Sequence, residues 1–292
     1  VVVNVSYFFS FVDDPTVDTS TQRAAAILFG TALYRKQVCS GNLAAGRVGR
    51  KNTLLCSTAY KYMFNACRIP LQGQDRYRIF DPSSKTHAVV ARKGHFFSIE
   101  IVDRCGDPLP IAILESQLQQ CIALADSIPN SRAKIGIMTS DNRDDWAAAR
   151  AELLQLGGAE MKEALEILES GAIMLNLDDE APVSRQECGS LFWTGGLTSG
   201  QNRYFDKSIQ IMVANNGKAG LIAEHSMMDG MPVIGYADFV CKMSYARARI
   251  QSPTSSYKKV RPIDIFEKPL SEMDRKAVGK LESKGVSFSS AQ

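Results

Sequence analysis

Several things are missing from this 292-residue sequence, and each absence narrows what the chain does. No apolar run approaches the roughly 18–20 residues that a membrane-spanning helix requires, so membrane association is not indicated. An excess of one charge is missing as well: 34 Lys and Arg stand against 31 Asp and Glu, and a net charge of +3 gives no reason to expect a nucleic-acid partner. The seven cysteines, at positions 39, 56, 67, 105, 121, 188 and 241, are odd in number and form no C-x-x-C. That excludes a disulfide framework and the usual metal-ligand spacings, and it fits reduced thiols in an intracellular protein, with no metal expected. The phosphate-loop, dinucleotide, H-E-x-x-H and G-x-S-x-G signatures are all absent. No internal repeat or low-complexity run is visible. The first residues, Val1-Val2-Val3-Asn4-Val5, have no Met, no basic region and no cleavage pattern, so they do not read as a signal peptide. They read as mid-strand, which makes the chain look cut from something longer.

What is present is an ordinary globular composition, 45% apolar and 22% charged, long enough for one large or two ordinary domains. Val1 to Phe11, β-branched and aromatic, predicts a strand. Thr21 to Val38 predicts a helix with Ala25, Leu28, Phe29 and Leu33 on one stripe. Ser57 is placed to cap a second helix through Tyr60, Met63 and Phe64 that ends before Pro70. Thr86 to Val102 reads as a hairpin turning at Lys93-Gly94. A helix follows over Ile111 to Ala125, then a short buried strand over Ile135 to Thr139. Asp141 or Asn142 caps a helix from Asp144 that Gly157-Gly158 stop, and Glu160 to Ser170 forms another. Ile173 to Leu177 is a strand. Ile209 to Ala214 and Ala219 to His225 flank Asn215-Asn216-Gly217, a hairpin signal because such a turn needs positive φ. Pro232 starts a helix to about Met243. Alternating strands and helices predict an α/β fold, a mixed sheet flanked by helices. Residues 1–250 read as one domain, and 251–292, richer in Pro, Ser and Lys, as a connector and one helix over Ser271 to Leu281.

Two clusters carry the chemistry. In Glu224-His225-Ser226-Met227-Met228-Asp229-Gly230 a histidine leaves a strand and a carboxylate follows four residues later, with Gly230 allowing a tight backbone path. An imidazole at a strand end is held by a rigid scaffold, and its ordinary pKa near 6.5 suits proton transfer. The other two histidines, His87 and His95, lie in a hairpin without a companion motif and read as structural. The second cluster, Ser199 to Lys207, contains Asn202, Arg203, Tyr204, Phe205, Asp206 and Lys207. On chemistry alone it reads as a solvated loop with an internal Arg–Asp pair.

Taken together, the clusters resemble the choline/carnitine acyltransferase family. Cys56-Ser57-Thr58-Ala59-Tyr60 through Asn65-Ala66-Cys67-Arg68-Ile69-Pro70, Gly94-His95-Phe96-Phe97, and Gly136-Ile137-Met138-Thr139-Ser140 with Asn142-Arg143 and Trp146 are similar to further stretches of the family, in order over most of 1–265. Val1–Asp14 and the Met-Met variant look most like its fungal carnitine acetyltransferase members. The resemblance implies a chloramphenicol acetyltransferase-like fold. It implies reversible acyl transfer between CoA and carnitine, with acyl-CoA a substrate and no bound cofactor. It makes His225 the general base, with Asp229 orienting the site and pairing with an arginine. Ser226 and Gly230 support the site, and Asn202, Arg203, Asp206 and Lys207 form a motif of unassigned role. It implies an intracellular protein of mitochondrion or peroxisome. Family members continue well past the point matching Gln292, into a half that binds CoA and the carnitine carboxylate. The expectation is therefore the catalytic-histidine half of a carnitine acyltransferase, with the other half as its partner. Two alternatives stand beside it: a catalytically incomplete domain, or a self-sufficient CoA-dependent acyltransferase that completes its cleft by oligomerising. For the latter, Lys258, Lys259 and Arg261 are the candidate phosphate binders, and a solvated tail is the other reading of them.

Overall fold

Strand β1 (Tyr7–Ser10) leads into helix α1 (Ser20–Cys39), whose N-terminus Thr19 caps by accepting the Gln22 N–H. The computed structural model describes residues 6–128, 135–246 and 260–263. Short strands β2 (Arg47–Val48) and β3 (Thr53–Leu54) pair with each other. Strands β4 (Ala66–Ile69) and β5 (Arg76–Ile79) form a second small antiparallel sheet. Next come the hairpin β6 (His87–Arg92) and β7 (His95–Glu100), and helices α2 (Ile111–Ser127), α3 (Ile135–Met138) and α4 (Arg143–Ser170). Strand β8 (Met174–Asp178), helix α5 (Arg185–Thr194), strands β9 (Ile209–Ala214) and β10 (Ala219–Ala223), helix α6 (Gly230–Ala246) and strand β11 (Arg261–Ile263) complete the described elements.

Seven strands make one mixed sheet in the order β1-β10-β9-β8-β6-β7-β11. The pairs β6–β8 and β8–β9 are parallel and the rest antiparallel. The sheet is buried on both faces, which is why its inner strands read as continuous apolar runs. Ala88, Val90, Leu175, Ile211 and Leu221 face a core built with α1, α2 and α6. Val89, Ala91 and Met174 face α4, while Met212 and Ile222 meet Phe192 of α5. The α/β expectation therefore holds: a mixed sheet flanked by helices.

Several elements match the sequence reading, and several depart from it. The 86–102 hairpin is present, and both Lys93 and Gly94 take the positive φ that a tight primed turn needs. Helix α1 is buried on more than the one stripe, because Ala24, Ala25 and Ala26 let it sit between α2 and α6. The helix expected from Ser57 to Pro70 is instead a 3₁₀ turn over Thr58–Tyr62, and Ser57 makes no side-chain cap. Asn65, at φ 52°, turns the chain into β4, and its amide donates to Lys85 O and Ser170 O. The strand expected over Ile135–Thr139 is the short helix α3; an apolar run of five has no periodicity to separate the two. The 143–170 stretch holds two helices, as the sequence predicts: Gly158, at φ 56°, ψ −140°, ends the first before the second begins. In the β9–β10 hairpin only Gly217 has positive φ, after a turn closed by its N–H on Ala214 O.

Helix α5 and strands β5 and β11 were not expected. For α5 a signal existed: Ser184 and Glu187 form a capping box, a pattern legible as S-x-x-E. Strand β11, inside the stretch read as a connector, pairs with β7. Val1–Val5 and the expected 271–281 helix lie outside the described residues.

Candidate functional site

His225 sits two residues beyond β10 and five before α6, in a loop fastened at several points. Glu224 N–H donates to Ser208 O, and the N–H groups of Met227 and Met228 donate back to Glu224 O. From β1, Tyr7 donates its phenol to Asp229 O at 3.0 Å and to Met228 O at 3.3 Å. Its ring stands edge-on to the His225 imidazole, centroids 5.0 Å apart. Burial, then the carboxylates of Asp229 and Glu224, push the Tyr7 phenol well above its ordinary value, so it stays a donor. From β5, Tyr77 donates to Ser226 O at 3.2 Å. The imidazole itself is 46% exposed, fixed at its base and open at its tip.

Glu224 organises this loop from inside. Its carboxylate is fully buried and pairs with the Arg68 guanidinium, Nη1 to Oε1 at 3.0 Å. It also accepts the Ser226 hydroxyl and the Met227 N–H. Arg68 Nη1 donates to Ser226 Oγ at 3.2 Å. A buried carboxylate without such partners would be costly, and the donors gathered around Glu224 meet that need.

Arg68 leads from the histidine loop to the second cluster. Its backbone N–H donates to Asp206 O at 2.8 Å, and its Nε lies 3.5 Å from Asp206 Oδ1 and 3.3 Å from Asp75 Oδ2. Arg143 holds the same two acids, at 2.8 Å from Asp206 Oδ1 and 2.7 Å from Asp75 Oδ2. Trp146 Nε1 donates to Asp206 Oδ2 at 2.7 Å. Burial still pushes the Asp206 carboxyl up to about 6, against the pull of Arg143, Trp146 and Arg68.

The solvated-loop reading of residues 199–207 is overturned: Asn202, Arg203, Tyr204, Phe205, Asp206 and Lys207 are all buried. The internal Arg–Asp pair is also replaced. Arg203 makes a two-pronged pair with Asp178 of β8, at 2.7 and 3.0 Å. Asn202 bridges Asp178 and the Gly94 N–H of the β6–β7 turn. Lys207 Nζ donates to Glu169 O at 2.6 Å, and burial pulls its ammonium down to about 8. The physical reason is that these polar groups find mutual partners inside, which composition alone cannot show. Gly136 makes room for the segment: a Cβ there would fall 2.0 Å from Arg203 O.

Asp229 is close to His225, with Oδ1 4.0 Å from Nε2, and is 83% exposed. It accepts the Gly230 N–H at 2.7 Å. No arginine pairs with it among the described residues; Arg68 goes to the buried Glu224 instead. Gly230 is the first residue of α6, without positive φ and with open space where a Cβ would be, so no tight path requires it. His87 is structural, with Nε2 2.8 Å from Ile167 O. Lys258 and Lys259 lie outside the described residues, and Arg261 pairs on the surface with Glu163. No group of three or more His, Cys, Asp and Glu is placed to hold a metal among the described residues.

Arg68, Tyr7 and Tyr77 were not singled out for the site. Arg68 stands in the Asn65–Pro70 stretch that carried part of the resemblance, but nothing in the sequence ties it to Ser226, 158 residues away.

A family model described as choline/carnitine O-acyltransferase matches residues 1–277. The mitochondrial carnitine O-acetyltransferase of Saccharomyces cerevisiae is 29% identical, over 83% of this chain and 36% of that protein. The mitochondrial carnitine O-palmitoyltransferase 2 of Xenopus tropicalis is also 29% identical, over 87% and 42%. A highly reducing polyketide synthase of Aspergillus luteorubrus is 31% identical, over 77% of this chain and 7% of its own length. This chain thus spans well under half the length of these relatives. Among solved structures a chloramphenicol acetyltransferase chain aligns over 83% of this one and 87% of its own length, at 13% identity and a TM-score of 0.33.

Proposed function

The chain belongs to the choline/carnitine O-acyltransferase family, and from that premise we propose that it forms the histidine-bearing part of a carnitine O-acyltransferase acting on short acyl chains. The observation that carries the reading is His225 itself. Its imidazole projects, half exposed, from a loop anchored to three strands, beside a carboxylate.

In this reading a ring nitrogen of His225 takes the proton of the carnitine hydroxyl as that oxygen attacks the thioester carbonyl carbon. The carbon–sulfur bond then breaks, and the proton passes from His225 to the departing CoA sulfur. The reverse reaction starts with His225 taking the thiol proton. Proton transfer by a positioned imidazole contributes about 10²–10⁴-fold to such a step. Asp229 supports the imidazole from 4.0 Å, and Ser226 fixes the loop backbone. Tyr77, Met231 and Ile234 expose large apolar surface close to His225 in the chain or in space. A further part of the protein would cover that surface and supply the sites for CoA and the carnitine carboxylate. Mitochondria are the compartment in this reading, supported by the mitochondrial location in the names of both carnitine relatives.

The polyketide synthase match favours a second reading, in which the same histidine serves a different acyl acceptor. Release of free thiol from acetyl-CoA by the full-length protein separates the two. The first reading expects release that depends on carnitine, with palmitoyl-CoA a poorer donor. Release that ignores carnitine and follows another hydroxyl compound would contradict it.

A further inference from the structure

The proposed acyl transfer gives Arg68 no chemical step. Yet the structure sets it at the junction of the two clusters that define the site. We propose that Arg68 is a positioning residue for His225; the inference rests on His225 being the base. The guanidinium reaches the residues on both sides of His225: Glu224 Oε1 at 3.0 Å and Ser226 Oγ at 3.2 Å. The Glu224 carboxylate accepts the Ser226 hydroxyl and the Met227 N–H in addition, so the loop backbone from 224 to 227 is wrapped around one ion pair. Arg68 therefore has no need to touch the imidazole to decide where it points.

Arg68 is itself immobilised. Its backbone is bonded to Asp206 O from within β4, and its Nε lies against Asp75 and Asp206. Asp206 is fixed in turn by Arg143 and by the Trp146 indole. The buried 202–207 segment thus acts as a rigid base, and Arg68 transmits its position to the histidine loop. This gives that segment a role beyond filling the core. A planar fork engages carboxylates and a hydroxyl in fixed directions at once, whereas a lysine offers a single point charge on a flexible stem. A base displaced by about 1 Å costs on the order of 10²-fold in rate while leaving substrate binding intact.

The test uses the full-length protein and carnitine-dependent thiol release from acetyl-CoA. Arg68→Lys keeps the charge that Glu224 requires. The expected result is kcat lower by about 10²-fold, with KM for both substrates within about twofold of wild type. In a His225→Ala background the same change should cost nothing further, because the base it positions is gone. Should Arg68→Lys not fold, Ser226→Ala decides: it removes one hydroxyl from an exposed residue, and kcat should fall about five- to tenfold, the worth of one hydrogen bond. Wild-type kcat in Arg68→Lys or in Ser226→Ala overturns the proposal. So does a full additional loss in the His225→Ala background. Normal turnover in His225→Ala alone is a different result: it removes the base on which the inference stands.

Discussion

At the scale of single residues, the account turns on polar side chains that are charged and buried together. Asp206 and Lys207 are neighbours that burial pushes toward their neutral forms, one pKa up and the other down, and their effects on stability fall in separate pH windows. Asp206 has its folded value raised, by burial first, from 3.8 to about 6. Its contribution is full below about 3.8 and is lost as pH rises through about 6, because the folded chain keeps a proton there that the unfolded chain has released. Lys207 has its folded value lowered by burial from 10.5 to about 8. Its contribution is present above about 10.5 and is lost as pH falls through about 8. Urea unfolding of wild type and Asp206→Asn from pH 4 to pH 7 checks the first window. The stability of wild type relative to the variant should decline across it, and a constant difference would contradict the assignment. This pair also marks what a sequence withholds. Residue types in the 199–207 segment are legible, but their polarity by itself predicts exposure. Only the partners, Asp178 for Arg203 and Arg68, Arg143 and Trp146 for Asp206, make burial tolerable. Those partners come from distant parts of the chain.

At the scale of elements, legibility follows periodicity and turn chemistry. Helices α1 and α2 were readable from a repeating apolar pattern, α6 from Pro232 in its first turn, and the two hairpins from their turn signals. Helix α3 was not, since four residues are too few to show a period. The 3₁₀ turn at Thr58–Tyr62 was not legible, because Asn65 redirects the chain into β4, whose partner β5 and isolated bridge to Lys207 both lie farther along the sequence. Glycines separate real close approaches from apparent ones. Gly136→Ala puts a methyl against the Arg203 backbone oxygen, which cannot rotate away, so the loss should exceed the ~1–3 kcal/mol usual for overpacking. Gly230→Ala adds a methyl in open space at the start of α6 and should change stability by less than about 1 kcal/mol. Denaturant unfolding of both variants measures the contrast, and equal effects would contradict the packing described around Arg203.

At the scale of the whole molecule, β1 and the end of β10 from the seven-stranded sheet meet the separate β4–β5 pair at one place, and His225 stands there. The histidine was legible from its spacing to Asp229 and from the family resemblance. The fastening of its loop was not, because Tyr7, Arg68 and Tyr77 reach it through tertiary contacts. Those contacts give the imidazole a fixed base and an open tip, the arrangement that general-base chemistry needs. The most direct measurement is the turnover of the full-length protein carrying His225→Ala, read as carnitine-dependent thiol release from acetyl-CoA at saturating substrates. The account predicts a fall of about 10²–10⁴-fold in kcat, with the unfolding transition unchanged since the residue is half exposed. Turnover near that of wild type in a folded variant would contradict it.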